Sequence, residues 1–200
     1  MAFKSIGAGT LLAPTSLAMV SCALESGAPN IITVAWLGTV NSDPPMLSVS
    51  VRPGRYSYGI IEKSGEFVVN LVSRSLMKTA DFCGVRSGRD IDKFAACSLT
   101  ALPAEGMKNA PCIGESPLYL SCRVRQKLEL GSHHLFLADI VAVGAREELL
   151  DAKGRLDLSR AQLVAYSHGE YTPLGGPAGF FGYSVARDEV LRRRMPKPKK

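Results

Sequence analysis

The sequence has no CxxC pair, no HExxH and no GxGxxG. Its five cysteines, Cys22, Cys83, Cys97, Cys112 and Cys122, are odd in number and lack paired spacing. A disulfide framework and a zinc knuckle are thereby excluded, and reduced thiols in a cytoplasmic protein are expected. The three histidines, His133, His134 and His168, have no metal-ligand spacing, so no metal site is expected. No uninterrupted apolar run reaches about 20 residues, which argues against a membrane span. One segment mimics a signal: Gly7 to Cys22 is apolar and ends in small residues before a cysteine. Only Lys4 provides a basic residue ahead of it, and Pro14 interrupts any helical core. Ser16 to Cys22 therefore reads as a buried first strand followed by a turn.

Single-signed charge is also missing from the body of the chain. Arg192, Arg193, Arg194, Lys197, Lys199 and Lys200 crowd the C-terminal end. Without them the 24 Lys+Arg fall to 18, equal to the 18 Asp+Glu, so the formal +6 belongs to the tail. A balanced body gives no footprint for nucleic acid, and a short basic end more often is solvated than binding. With 46% hydrophobic and 21% charged residues, the 200-residue chain has ordinary globular composition and a length that one core can fill.

Period-two segments dominate. Leu47 to Arg52 alternates without a break, and Leu118 to Leu128 puts Leu120, Cys122, Val124 and Leu128 on one face. Ser121, Arg123, Arg125 and Lys127 share the other face. Ile31 to Leu37, Phe67 to Val72 and Leu135 to Val143 are more continuously apolar and suit interior strands, and Gln162 to Tyr166 suits one more. Short helices are expected over Tyr56–Ser64 before Gly65, over Ser75–Cys83 with Gly84 as a stop, over Asp90–Ala96, and over Arg187–Arg194. The expected fold is mainly β: a six- or seven-stranded antiparallel barrel with short helical insertions. Residues 1–186 form the domain, and 187–200 a short helix and basic tail.

Four stretches could carry chemistry. Thr33 to Pro45 runs a strand with the only tryptophan, Trp36, into Leu37-Gly38-Thr39 and then Asn41. Gly38 leaves room for a flat ring against the backbone, although a tryptophan at a strand end more often packs in a core. Ser50 to Tyr58 supplies Arg52, Arg55, Tyr56, Ser57 and Tyr58 where a strand meets a helix N-terminus. Guanidinium forks, hydroxyls and free first-turn N–H groups suit a phosphate monoester; a capped helix with solvated arginines is the equal alternative. Asp81 to Phe94 is a shaped loop with Cys83, Gly84 and Ser87, in which Cys83 reads as a packing residue, not a nucleophile. Gly131-Ser132-His133-His134 opens an apolar strand, so only one of the two imidazoles can face a given pocket.

Taken together these stretches resemble the flavin reductase-like family with the FMN-binding split barrel, and its flavoredoxin branch most closely. The segments that carry the resemblance are Asn30 to Trp36, Asn41 to Pro45, Ser50 to Ser57, Ser64 to Leu71, Asp81 to Gly84 with Ser87 to Asp90, and Gly131 to His133. The related pyridoxamine phosphate oxidases also bind FMN, but Asn41–Pro45 and Gly131–His133 favour the flavoredoxin branch. The resemblance implies a Greek-key split barrel that is homodimeric, with FMN at the subunit interface. It implies a ring lying against Trp36 to Thr39, with Thr33, Leu37 and Asn41 beside it. Arg52, Arg55, Tyr56, Ser57 and Tyr58 would surround the ribityl and phosphate, Cys83, Gly84 and Ser87 would close over them, and His133 would stand at the reactive face. Tyr171 to Gly176 looks like the segment that closes near the ring. The implied activity is hydride or electron transfer between NAD(P)H and FMN, with a nicotinamide and a redox partner protein as partners. A flavoredoxin-type electron carrier without direct NAD(P)H turnover is the alternative.

Overall fold

A computed structural model describes residues 1–195. The chain opens with β1 (Thr15–Ser16), β2 (Ala18–Cys22), β3 (Asn30–Val34), β4 (Leu37–Ser42) and β5 (Pro45–Val51). Next come α1 (Tyr56–Ser64), β6 (Glu66–Leu71), α2 (Met77–Val85), α3 (Lys93–Ala96), β7 (Ala101–Pro103) and β8 (Pro111–Ile113). Two long strands, β9 (Leu118–Glu129) and β10 (His134–Ala145), precede β11 (Val164–Ser167), β12 (Glu170–Pro173) and α4 (Asp188–Arg194). Lys197, Lys199 and Lys200 of the basic tail lie outside the described residues.

Seven strands form one antiparallel sheet in the order β3-β2-β6-β9-β10-β5-β4. Its two edge strands are consecutive in the chain, and the Ser50 N–H donates to the Trp36 carbonyl at 2.9 Å where they join. The sheet curls, because Ile32 and Val34 from one edge share a core cluster with Val49 and Val51 near the other. A second cluster covers the opposite face of β2 and β3, where Met19 and Ile31 pack with Ala80, Cys83, Phe94 and Val164. Burial on both faces explains why β2 is buried throughout and apolar at every position but Ser21, without alternation. No helix among the described residues is long and apolar enough to cross a membrane.

Helix α1 follows its local signals. Gly65 ends it in the left-handed region (φ 68°) and bonds back to the Ile61 carbonyl. Ser57, Tyr58, Ile60 and Ile61 are its buried side. Four expectations need correction. Helix α2 passes through Gly84 to Val85, because the missing side chain lets the helix lie against Thr33: a Cβ there would stand 3.3 Å from the Thr33 Cβ. The strand expected over Ile31 to Leu37 is two strands, with Ala35-Trp36 as the corner between β3 and β4. In β9 the alternation reverses at a bulge, since Gln126 pairs with Leu137 but Val124 pairs with Ala138, leaving Arg125 as the extra residue. Lys127 therefore sits opposite the buried Phe136, while Leu128 turns outward to 40% exposure. The outer face of β10 is likewise not interior, as Val141 and Val143 are exposed.

Candidate functional site

A cavity of about 370 Å³ opens between the end of β3, the link from β5 to α1, helix α2, the start of β10 and the β11–β12 hairpin. Thr33, Val34 and Trp36 form one wall; Ser50, Arg52 and Arg55 form the next. Val85 and Gly84 come from α2, His133 from β10's approach, and Tyr166 and Tyr171 from the hairpin. Ile32, Arg55 and Gly84 also line a second cavity of about 140 Å³ bounded by Asn30, Tyr56, Ser57, Cys83, Ser87 and Arg89. A broad, partly apolar chamber thus leads into a narrower polar one.

The narrower chamber is built for negative charge. Arg55, Arg86, Arg89 and Lys93 line it, and Arg52 joins Arg55 in the larger one. Asp81 is the acid among the lining residues of the two chambers, and it accepts a hydrogen bond from the Tyr171 hydroxyl at 2.9 Å. The N-terminus of α1 adds positive potential, because no side chain caps it and no acid stands in its first turn. Behind it the Asn30 amide donates to Ser57 Oγ at 2.7 Å, with both side chains buried. Lys93 is only 3% exposed and donates to the Ile31 and Cys83 carbonyls, each at 2.7 Å. Burial holds its pKa below the ordinary lysine value.

His133 faces the larger chamber with its ring centroid 4.6 Å from Trp36 at 41°. Burial, and then the Arg52 charge, push its pKa below the ordinary 6.5, so the imidazole is neutral at pH 7. Ser132 Oγ lies 3.0 Å from its Nδ1. Burial pushes the Cys22, Cys83 and Cys122 thiols up to about 12, so these three offer no thiolate. No group of three or more metal-ligating side chains is assembled among the described residues.

Of the residues singled out in the sequence, the structure brings Thr33, Trp36, Arg52, Arg55, Tyr56, Ser57, Cys83, Gly84, Ser87 and His133 to the two chambers. Leu37 instead packs against the core. Gly38, Thr39 and Asn41 lie on exposed β4, outside both linings, and the Asn41 amide is used to bond the Pro44 carbonyl at 2.8 Å. Tyr58 points the other way from the chambers, with its hydroxyl 2.8 Å from His134 Nδ1.

The flavin reductase like domain matches residues 11–175. The chain belongs to the flavin reductase-like family. Its fold is similar to that of flavoredoxin of Desulfovibrio vulgaris (Miyazaki F), with a TM-score of 0.84, 33% identity, and coverage of 92% of this chain and 99% of that one. Flavoredoxin from Methanosarcina acetivorans gives a TM-score of 0.80 at 27% identity, covering 94% of this chain and 100% of the other. The NADH-dependent flavin reductase StyB of Pseudomonas fluorescens is 26% identical over 133 residues, 66% of this chain and 73% of its own. The resemblance carried by the six sequence segments is confirmed at family level, since all six fall inside the matched span.

Within this flavin reductase-like chain, sequence reading passed over several lining residues. Asn30 and Arg89 stood inside matching segments, but nothing local marked a buried amide or a guanidinium 5.7 Å from the Tyr56 ring. Lys93 belongs to the stretch Asp81 to Phe94 that reads as a shaped loop, and only the packing of α3 on β3 takes it inside. Tyr171 belongs to the segment that the resemblance places near the ring, but its bond to Asp81, 90 residues away, has no local signal.

Proposed function

We propose that this protein binds FMN and works as an NAD(P)H:FMN oxidoreductase. The observation that carries the reading is the pair of joined chambers in a flavin reductase-like chain: one wide and walled by Trp36, Val34 and two tyrosines, the other narrow and cationic at an uncapped helix start. FMN has the matching shape, a flat ring joined through a polar chain to a phosphate dianion. The donor set fits it as well. Arginines give forked bonds to phosphate oxygens, Ser57 and Tyr56 add hydroxyls, and the first-turn N–H groups of α1 complete an anion cradle.

When bound, FMN supplies the redox chemistry, carrying electrons from NAD(P)H onward. The chain's own work is binding, orientation and electrostatics. Arg55, Arg86, Arg89 and Lys93 would hold the phosphate end, with Cys83, Gly84 and Ser87 packed over it. Trp36 and Thr33 would flank the ring. Neutral His133 would offer an N–H or a lone pair at the ring's open face, and Arg52 beside it would favour negative charge there. Tyr166, Tyr171 and Val85 would keep water out.

The reading extends to assembly. We take the curled sheet as a closed split barrel and the working form as a homodimer with FMN at the subunit interface. Trp36 is 44% exposed and β4 presents Gly38, Thr39 and Asn41 outward; a second copy would cover them and bring them toward the ring. A small nicotinamide and a redox partner protein complete the set of partners, and the buried thiols suit a cytoplasmic setting. Residues 1–186 are taken as the FMN-binding domain.

Stopped-flow mixing of FMN-loaded protein with NADH and with NADPH tests the oxidoreductase reading. The flavin absorbance should bleach faster than free FMN does with at least one of them. Failure with both would leave the second reading, an electron carrier, which is favoured by 33% identity to a flavoredoxin across 92% of this chain.

A further inference from the structure

Tyr58 carries a polar chain that the site does not use. Its hydroxyl lies 2.9 Å from Glu62 Oε1 and 2.8 Å from His134 Nδ1. Lys127 Nζ stands 2.8 Å from the same Glu62 oxygen and 3.0 Å from Glu129. A hydroxyl has one hydrogen to give. Lys127 and then Tyr58 hold the Glu62 carboxyl below its ordinary range, so it is ionised and can only accept. The Tyr58 hydrogen therefore goes to Glu62, and His134 must donate from Nδ1 to the Tyr58 oxygen.

That bond has a place in the fold. His134 begins β10 and is paired with Val51 on one side and Glu129 on the other. Its neighbour His133 ends a turn in which Leu130, Gly131 and Ser132 are all exposed, with Gly131 at φ 97°. Such a tip has little packing to hold it. Tyr58 and the Lys127–Glu62 pair tie the β9–β10 hairpin to α1, the helix whose first turn opens on the cationic chamber. One helix thus registers both ends of the site.

We propose that Tyr58, acting through His134, is a positioning residue that holds the His133 ring against Trp36 at the mouth of the larger chamber. The importance of that ring rests on reading His133 as the imidazole at the flavin; the positioning itself does not need a flavin. It reassigns Tyr58 from a cofactor contact to a brace, and gives the two adjacent histidines separate tasks on opposite faces of the strand.

Trp36 is the only tryptophan, so its emission reports on His133 alone among the histidines. A protonated imidazole in contact quenches indole emission. In flavin-free protein, emission should rise in a step centred below pH 6.5 as His133 loses its proton, with Arg52, Arg55 and Asp81 the charged groups around the same chamber. Tyr58→Phe and His134→Phe should each lose at least half of the step, by about twofold or more. His134→Asn, whose amide nitrogen can donate from nearly the Nδ1 position, should keep it. Long-range 15N correlation spectra of the wild type should show His134 carrying its proton on Nδ1. A full step in Tyr58→Phe, loss of the step in His134→Asn, or an Nε2–H tautomer in the wild type would overturn the proposal. If the protein fails to take up FMN, the proposed function falls while these readings stand.

Discussion

Replacing Gly88 by alanine adds one methyl group at the tightest point of the narrow chamber. A Cβ there would meet Asn30 Oδ1, and would stand 2.6 Å from Asn30 Cγ and 2.8 Å from Tyr56 Cδ1. Asn30 cannot step aside freely, because it is 4% exposed and its amide holds Ser57 Oγ at 2.7 Å. Overpacking of this kind costs about 1–3 kcal/mol. The nearest free volume is the chamber of about 140 Å³ that Asn30, Tyr56 and Ser57 line. Relaxation into that space turns the strain into lost binding, so FMN affinity should fall by about 5- to 150-fold. The melting temperature should drop by less than about 4 °C, since only strain left unrelieved in the flavin-free fold counts there. Calorimetric titration with FMN and thermal unfolding of the flavin-free protein separate the two effects. Affinity within twofold of the wild type would refute the reasoning.

Three further outcomes follow from other parts of the molecule. Gly59 lies inside α1 with nothing within 4 Å of its absent Cβ, so Gly59→Ala should stabilise the protein by about 0.5–1 kcal/mol in urea unfolding. Burial pushes the Glu66 carboxyl up, but hydrogen bonds from the Lys108, Ala110 and Asn109 N–H groups outweigh it and hold the pKa below the ordinary value. A depressed folded-state pKa gives stability that is complete above about pH 4.3 and is lost as the pH falls through the folded value. Glu66→Gln should therefore cost about 1–3 kcal/mol at neutral pH, with the difference closing in acid denaturation. The cations around the narrow chamber predict an affinity for FMN that weakens as salt rises, read from titrations at about 0.05 and 0.5 M sodium chloride.

Much of the fold was legible because its signals are local. Pro53-Gly54 and Gly65 bracket α1, the alternation of Leu47 to Arg52 marks β5, and the turn and apolar run around Gly131 to Phe136 mark β10. The errors arose where tertiary contact overrides a local rule. Gly84 is a stop signal in isolation, but it continues a helix because Thr33 needs the space. Arg125 bulges and reverses a face that simple counting assigned, sending Lys127 inward to Glu62. The site divides the same way. Trp36, Arg52, Arg55, Ser57 and His133 stood out by residue type beside turns, whereas Asn30, Asp81, Lys93 and Tyr171 gain their roles from partners distant in sequence.

The central claim is that the two joined chambers hold FMN, and direct titration of the flavin-free protein with FMN tests it. The account predicts saturation at one FMN per chain, with the flavin spectrum perturbed and the Trp36 emission quenched. Substituting Arg55, which lines both chambers, by alanine should weaken binding. A protein that stays colourless after dialysis against excess FMN, with its Trp36 emission unchanged during the titration, would contradict it.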